Sequence, residues 1–271
     1  YDDNNRLINW TNPRTGQQSM NIYDTKGRIL HNDQVGDIHY SNAQSIYRPS
    51  GMTLNANGIA NYDNQGTATS TLIQSITYNE NNDPIKIDGV KGDYGFDYGL
   101  SESRQVMYYG GNFTTNSGAR YIKYYNESGD TEIIRDTQTG KEKHILYIGG
   151  SPYESNIVFL KNFNESTGSF KFLHKDYLGS ILAISDEAGN KLEQRHFDAW
   201  GVITHLKIGN NATITDRNII KNTEWLLDRG YTSHEHLKEV EIIHMNGRLY
   251  DPLLRRFLNA DENIQDPYNT Q

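Results

Sequence analysis

The sequence predicts a mainly β protein built from successive antiparallel hairpins. Three observations lead there. Tyrosine dominates the aromatic residues, 19 against 8 Phe and 3 Trp, and glycine is frequent at 24. Tyrosine suits half-buried pleated surfaces and glycine suits tight turns. Second, the apolar share is 35% of 271 residues. Counting Gly in and Tyr out gives about 37%, against roughly 45–50% for ordinary domains, which argues against a thick helical core. Third, a Tyr followed four residues later by Gly recurs at Tyr23…Gly27, Tyr47…Gly51, Tyr62…Gly66 and Tyr125…Gly129. The expected geometry is a hairpin. Tyr ends a strand, an Asp caps the turn through its carboxylate, and Gly takes the left-handed position that restarts pairing.

Each element follows from this pattern. Arg28-Ile29-Leu30 continues from the first turn. Ile133-Ile134-Arg135, a turn at Asp136 to Gly140, and His144-Ile145-Leu146-Tyr147 form another hairpin. Ser180 to Ile184 is a β-rich run, Asp186 to Asn190 a turn, and Lys191 to Phe197 a mostly polar return strand. Leu192 and Phe197 are its apolar points. Asp198-Ala199-Trp200-Gly201 turns again, and Gly209 to Ala212 reads as an exposed loop. Thr215 or Asp216 is positioned to cap a short helix that puts Ile219, Ile220, Thr223, Leu226 and Leu227 on one face, with Gly230 as its stop. Thr232…Glu235 has the spacing of a capping box for one further turn. One or two short helices are therefore expected near 215–240. Ile242-Ile243 and Arg248-Leu249-Tyr250 are extended again. No linker separates two folding units, but loose repeats give way to a denser segment near residue 165.

Composition narrows the function. Lys and Arg number 26 and Asp and Glu 34, a net charge of −8 that argues against a nucleic-acid partner. With no cysteine, disulfides, thiol catalysis and Cys-ligated metals are excluded. No apolar run is long enough for a membrane-spanning helix. The first residues do not form a signal peptide, and without an initiator Met the natural product is expected to extend further at this end.

Four ordered motifs carry a resemblance. They are His174-Lys175-Asp176-Tyr177-Leu178-Gly179-Ser180, Phe197-Asp198-Ala199-Trp200-Gly201, Arg229-Gly230-Tyr231-Thr232 with His234-Glu235-His236-Leu237, and Met245-Asn246-Gly247-Arg248-Leu249-Tyr250-Asp251-Pro252. The last runs on to Arg256-Phe257-Leu258 and Asp261. With the looser turns before them, they resemble the Rhs/YD-repeat family. Residues 1–164 are similar to its degenerate hairpin repeats, and 165–271 to its repeat-associated core region. The resemblance implies hairpins joined edge to edge into one sheet that winds into a hollow shell. Such a wall has two surfaces and covers the edges of its own strands.

The resemblance also implies a function. The chain would be the C-terminal wall and plug of a shell that encloses and delivers a polymorphic toxin, secreted or at the cell surface. Its partners would be the remainder of the shell, the enclosed toxin domain and a secretion machine. In toxin-bearing relatives the core region looks like an aspartyl autoprotease that cuts once in cis. Carried over here, its Arg and first Asp fall on Arg248 and Asp261, with a second Asp expected beyond Gln271. Two close carboxylates share one proton, so one can act as acid and the other as base, and an Arg can steady the developing oxyanion. The match departs from the family where Arg255-Arg256-Phe257-Leu258 replaces Gly-Arg-Phe-Leu, losing a turn Gly, and where Asp261-Glu262 replaces Asp-Pro. Asp266 lies too close to serve as the second acid. No cofactor is expected. A cell-surface adhesion or carbohydrate-binding YD-repeat module, as in teneurins, is the alternative, and a secreted carbohydrate-active enzyme is weaker.

Other residues weigh toward structure. His234-Glu235-His236, with His244 nearby, suggests a metal, but the spacing is wrong for a helical zinc site and suits two ligands only on a strand. His174, Asp176 and Tyr177 read as a repeat turn. Trp200 and Trp225 read as wall packing before sugar stacking, and no spacing singles out a glycosidase pair. The sequons at Asn112, Asn126 and Asn164 are short enough to arise by chance.

Overall fold

Side-chain alternation decides how this chain pairs. The computed structural model describes residues 1–43, 46–47, 49–55, 72–100 and 103–259. The first sheet holds β1 (Asn9–Thr11), β2 (Gln18–Tyr23), β3 (Ile29–Asn32), β4 (Gly36–His39) and β5 (Gly51–Leu54). The second, of twelve strands, begins with β6 (Ile73–Tyr78), β7 (Pro84–Gly89), β8 (Tyr94–Tyr98), β9 (Arg104–Tyr109), β10 (Tyr121–Tyr125) and β11 (Thr131–Asp136). It continues through β12 (Glu142–Tyr147), β13 (Ile157–Lys161), β14 (Ser169–Lys175), β15 (Ile181–Ser185), β16 (Lys191–Phe197) and β17 (Ile203–Ile208). A helix, α1 (Arg217–Asn222), precedes the last sheet of β18 (Glu235–Leu237), β19 (Ile242–Met245), β20 (Arg248–Asp251) and β21 (Arg256–Phe257). Within each sheet every strand neighbours the next in sequence, antiparallel throughout. The protein is mainly β, built of consecutive hairpins as its composition implies.

One turn recurs. At Asp2, Asp24, Asp176, Asp186 and Asp198 a carboxylate oxygen accepts from the backbone N–H two and four residues on, at 2.8–3.0 Å. The fourth residue has positive φ: Asn5 58°, Gly27 82°, Gly179 84°, Gly189 81° and Gly201 97°. This is the physical content of the Asp-x-x-Gly spacing. The Asp satisfies donors that the turn turns away from the ladder, and Gly takes the left-handed position without a Cβ penalty. The Tyr23 and Tyr125 turns join β2 to β3 and β10 to β11, with Gly27 and Gly129 at positive φ. Tyr47…Gly51 is different: Gly51 opens β5 and takes no positive φ. Tyr62…Gly66 lies outside the described residues.

Gly201 shows that such a turn can also be a packing site. A Cβ there would sit 2.7 Å from Tyr231 Cδ1 and 2.9 Å from Ile243 Cδ1, whereas one at Gly189 would meet nothing within 4 Å. Gly201→Ala is expected to cost about 2–4 kcal/mol, backbone strain plus overpacking, and Gly189→Ala about 1 kcal/mol from strain alone. Urea unfolding of both variants checks this. Equal costs would remove the packing contribution.

The C-terminal segment covers one face of the sheets, and each apolar cluster contains part of it. Ile220 and Trp225 pack with Phe197, Ile203 and Leu206 of β16 and β17. Leu227 joins Ile134, Ile145, Val158, Leu160 and Leu173 from the middle of the long sheet. Leu237, Val240, Ile242 and Leu249 pack on Ile73, Ile87, Tyr94, Phe96 and Met107 from its other end. Leu253 and Leu254 complete the core of the first sheet with Val35, Ile38 and Met52. Residues 220–254 thus stitch both larger sheets together, each cluster excluding water between wall and segment.

Two helical expectations are corrected. Asp216 caps α1, accepting from Asn218 N and Ile219 N, but the helix ends at Asn222 and does not continue to Gly230. Ile220 is buried while Ile219 is 54% exposed, and Leu226 and Leu227 lie in non-helical chain. Tertiary partners replace the helical hydrogen bonds: Lys143 Nζ donates to Leu226 O at 2.7 Å, and Glu193 accepts from Leu226 N at 2.7 Å. Thr232…Glu235 is no capping box either. Thr232 sits at φ 49° in a single 3₁₀ turn, and Glu235 is a fully buried strand residue.

Candidate functional site

Strand parity carries charge into the core. On β10, Tyr121, Lys123 and Tyr125 share the covered face, and on β11 Glu132, Ile134 and Asp136 do. Lys123 and Glu132 are 0% and 1% exposed. Lys123 Nζ lies 3.0 and 2.9 Å from the two carboxylate oxygens of Asp228, 2.8 Å from Glu132 Oε2, and in contact with Glu235 Oε1. Arg229 Nε donates to Glu132 Oε1 at 2.6 Å, and Arg104 pairs with Glu235. Tyr125 Oη donates to Glu235, and the Arg104 guanidinium lies 4.5 Å from the Tyr125 ring centre. Three cations thus face three anions in a balanced buried set. Neutrality is what makes such burial tolerable.

The ionisation states follow from this balance. Burial alone would push the Asp228 carboxyl up, but the Lys123 charge and hydrogen bonds hold it below the usual carboxylate range. Burial opposes the Glu132 carboxylate too, and Arg229 and then Lys123 outweigh it, so Glu132 is also held low. For Lys123, burial pulls down while Asp228 and Glu132 hold the ammonium above its ordinary value. Glu132, Asp228 and Glu235 offer oxygens within 4.8 Å of one another, the one such ligand group among the described residues. The Lys123 ammonium already occupies the space between them, so the arrangement is an ion network that joins β9–β11 to the 228–235 segment.

A second buried set fixes the same segment. Arg195 pairs with Glu193 and donates to the backbone carbonyls of Leu227 and Arg229. Its guanidinium lies 5.0 Å from the Trp225 ring centre. A third joins the chain ends. Arg255 stacks 3.5 Å over Trp200, pairs with Asp33 at 2.8 Å and donates to Met20 O at 2.8 Å. Arg255 sits at φ 59°, a left-handed conformation unusual for a residue with a Cβ, and from there tethers the C-terminal segment to the first sheet.

The residues singled out by sequence are distributed as follows. Arg248 lies on β20 with its guanidinium 3.9 Å from the Phe257 ring centre. Asp261 and Asp266 lie outside the described residues. Glu235 belongs to the ion network. His234 Nδ1 hydrogen-bonds Thr232 Oγ1 at 2.8 Å, and His236 Nε2 accepts from Tyr231 N at 3.0 Å. Burial and then a nearby arginine, Arg229 for His234 and Arg195 for His236, push them down to about 4 and about 3. His244 is 1% exposed and faces Glu235 in register, and burial and Arg104 push it well below its ordinary value. His174 Nε2 hydrogen-bonds Ser185 Oγ at 2.9 Å. Asp176 is a turn former, and Tyr177 is fully exposed. Trp200 and Trp225 are each 7% exposed and pack inside the wall. A cavity of about 540 Å³ opens between the sheet and residues 222–239, lined by Tyr109, Tyr121, Lys143, Trp225, Asp228 and Lys238 among others.

Lys123, Glu132, Asp228, Arg195 and Arg255 were not foreseen. A signal was present for some of them. Glu132 sits two residues before Ile134, and Arg195 two before Phe197, so each shares a face with an apolar neighbour. Asp228 and Arg255 lie in irregular chain, where no periodicity marks them.

No family model matches the sequence, and no curated protein matches it. Solved structures do match in fold. A crystal structure of TcdB2-TccC3 superposes with a TM-score of 0.64 at 14% identity, covering 90% of this chain and 12% of that one. TcdB2-TccC3-Cdc42 gives 0.62 at 14% identity over the same shares, and the Photorhabdus luminescens Tc holotoxin pore 0.63 at 14%. This chain therefore spans about an eighth of the chains it matches, and shares the fold of that part of them.

Proposed function

We propose that this chain is part of the wall of a hollow β-shell that encloses a toxin, outside or at the surface of the producing cell. One observation carries the reading: consecutive antiparallel hairpins in three sheets, in a chain that superposes along 90% of its length on TcdB2-TccC3. Residues 1–164 supply repeat wall, and 165–271 supply a core region whose covering segment acts as the plug. The remainder of the shell and an enclosed C-terminal toxin domain are its partners. We assign Arg248 and Asp261 to a single cut in cis, Arg248 steadying the oxyanion and Asp261 serving in the acid–base pair.

The natural full-length product tests both parts. Electron microscopy is expected to show closed hollow particles, and a solid globule or an extended rod would overturn the shell. Under denaturing conditions the parent is expected to give two fragments by mass and the Asp261→Asn variant one intact chain. One intact chain in both would remove the autoprotease and leave Arg248 as a wall residue stacked on Phe257.

A further inference from the structure

We infer that Lys123 and Asp228 become joined by a side-chain amide, a covalent staple between the sheet and the covering segment. The ion network is balanced as a whole, but its pairing is uneven. Glu132 is held by Arg229 and Glu235 by Arg104, both arginines that keep their charge. Asp228 has Lys123 as its ion-pair partner. Lys123 touches Glu132 and Glu235 as well, but those carboxylates also have an arginine, and a single proton transfer from Lys123 to Asp228 discharges both members of that pair.

The geometry suits amide formation. Lys123 is 0% exposed, and its Nζ lies 2.9 and 3.0 Å from the two Asp228 oxygens, held there by strand β10 on one side and the 227–229 chain on the other. That is contact distance without diffusion, so the effective concentration of amine at the carboxyl is high. Glu132 Oε2, 2.8 Å from the same nitrogen, is close enough to relay a proton. One proton passes from Nζ to the Asp228 carboxylate, and the freed lone pair attacks Cγ. As the C–N bond forms, a second Nζ proton passes through Glu132 to the departing hydroxyl, the C–O bond breaks, and water leaves. The ammonium loses two protons, the carboxylate loses one oxygen, and no oxidant is consumed. The Asp228 side chain is 22% exposed and borders the cavity under residues 222–239, which gives the water an exit. The resting state is the ionised pair, so the reaction runs through the scarce neutral pair and is slow. In a chain without cysteine, such a staple would close a loop of over a hundred residues and disfavour unfolding as a disulfide does.

The test is the intact mass of the natural full-length protein, held folded at neutral pH and then denatured, followed by tryptic mapping. The expected result is a chain lighter than its sequence mass by one water, with a branched peptide joining Lys123 to Asp228. Lys123→Met and Asp228→Ala are each expected to restore the full mass. The parent alone decides if either variant fails to fold. A parent at its full sequence mass overturns the inference. So does a one-water loss that maps to a linear peptide, such as a succinimide at Asp88-Gly89. Cleavage at the core region splits the chain, whereas the staple lies within one fragment, so the two outcomes are separately readable.

Discussion

Lys123→Met is expected to destabilise the protein by about 3–5 kcal/mol, the cost of leaving a buried charge without its partner. The side chains are similar in length, so packing changes little. The charge balance changes entirely: Glu132, Asp228 and Glu235 would share only Arg229 and Arg104, and one carboxylate would lie buried and uncompensated. The variant is expected to relieve this by taking up a proton, at the cost of the Asp228 and Glu235 contacts to the segment. Adding Asp228→Asn restores neutrality and is expected to recover part of the loss, because the two sites are in contact and their effects do not add. The midpoint of urea unfolding, with its slope unchanged, reads both effects. A Lys123→Met variant within 1 kcal/mol of the parent by that measure would show the network to be well solvated.

Much of the wall was legible in the sequence, and much of what holds it was not. The turns were legible because their chemistry is local. Asp24, Asp176, Asp186 and Asp198 each satisfy donors within four residues, so Asp and Gly at fixed spacing carry the whole signal. The 220–235 stretch was misread because helical spacing there competes with partners distant in sequence. Trp225 packs among Phe197, Ile203 and Leu206, Leu227 in the middle of the long sheet, and Lys143, Glu193 and Arg195 take the backbone groups a helix would have used. The polar return strand was read correctly as a strand and Phe197 is buried, but the charged residues that share its inner face were not read. Leu192 and Phe197 looked like its apolar points, yet Glu193 and Arg195 are buried with Phe197 while Leu192 is intermediate. A charged residue turns inward only when its counter-ion waits there, and that partner is set by topology. Arg248 was chosen from the resemblance alone, and its residue-level geometry shows a ring contact with Phe257.

Acid is expected to unfold the protein well before its carboxylates protonate, and three histidines determine this. His234, His236 and His244 are each held neutral by burial and by a neighbouring arginine, Arg229, Arg195 and Arg104 in turn. Protonating any of them in place would set a second cation beside a buried guanidinium. In the unfolded chain each takes its proton near the ordinary value of 6.5, but in the fold His234 waits until about 4 and His236 until about 3. Between these limits the unfolded chain binds more protons, so stability is complete above 6.5 and falls as pH drops. One site contributes about 1.4 kcal/mol per pH unit, so three acting together give roughly 4. Against a typical total of about 5–15 kcal/mol, this is enough to bring unfolding near pH 5. Glu132 and Asp228 act in the same direction but later. Their depressed values keep their contribution intact above the ordinary carboxylate range and lose it only below. His196 and His205 are also held low by burial, but they stand more in water and count for less. Chemical unfolding at pH 7, 6 and 5 measures the slope. His236→Gln, whose amide oxygen can still accept from Tyr231 N, is expected to remove about a third of it, one of three equal proton uptakes. Equal stability at pH 7 and 5 would mean that these imidazoles open to water without unfolding the segment that covers the sheet.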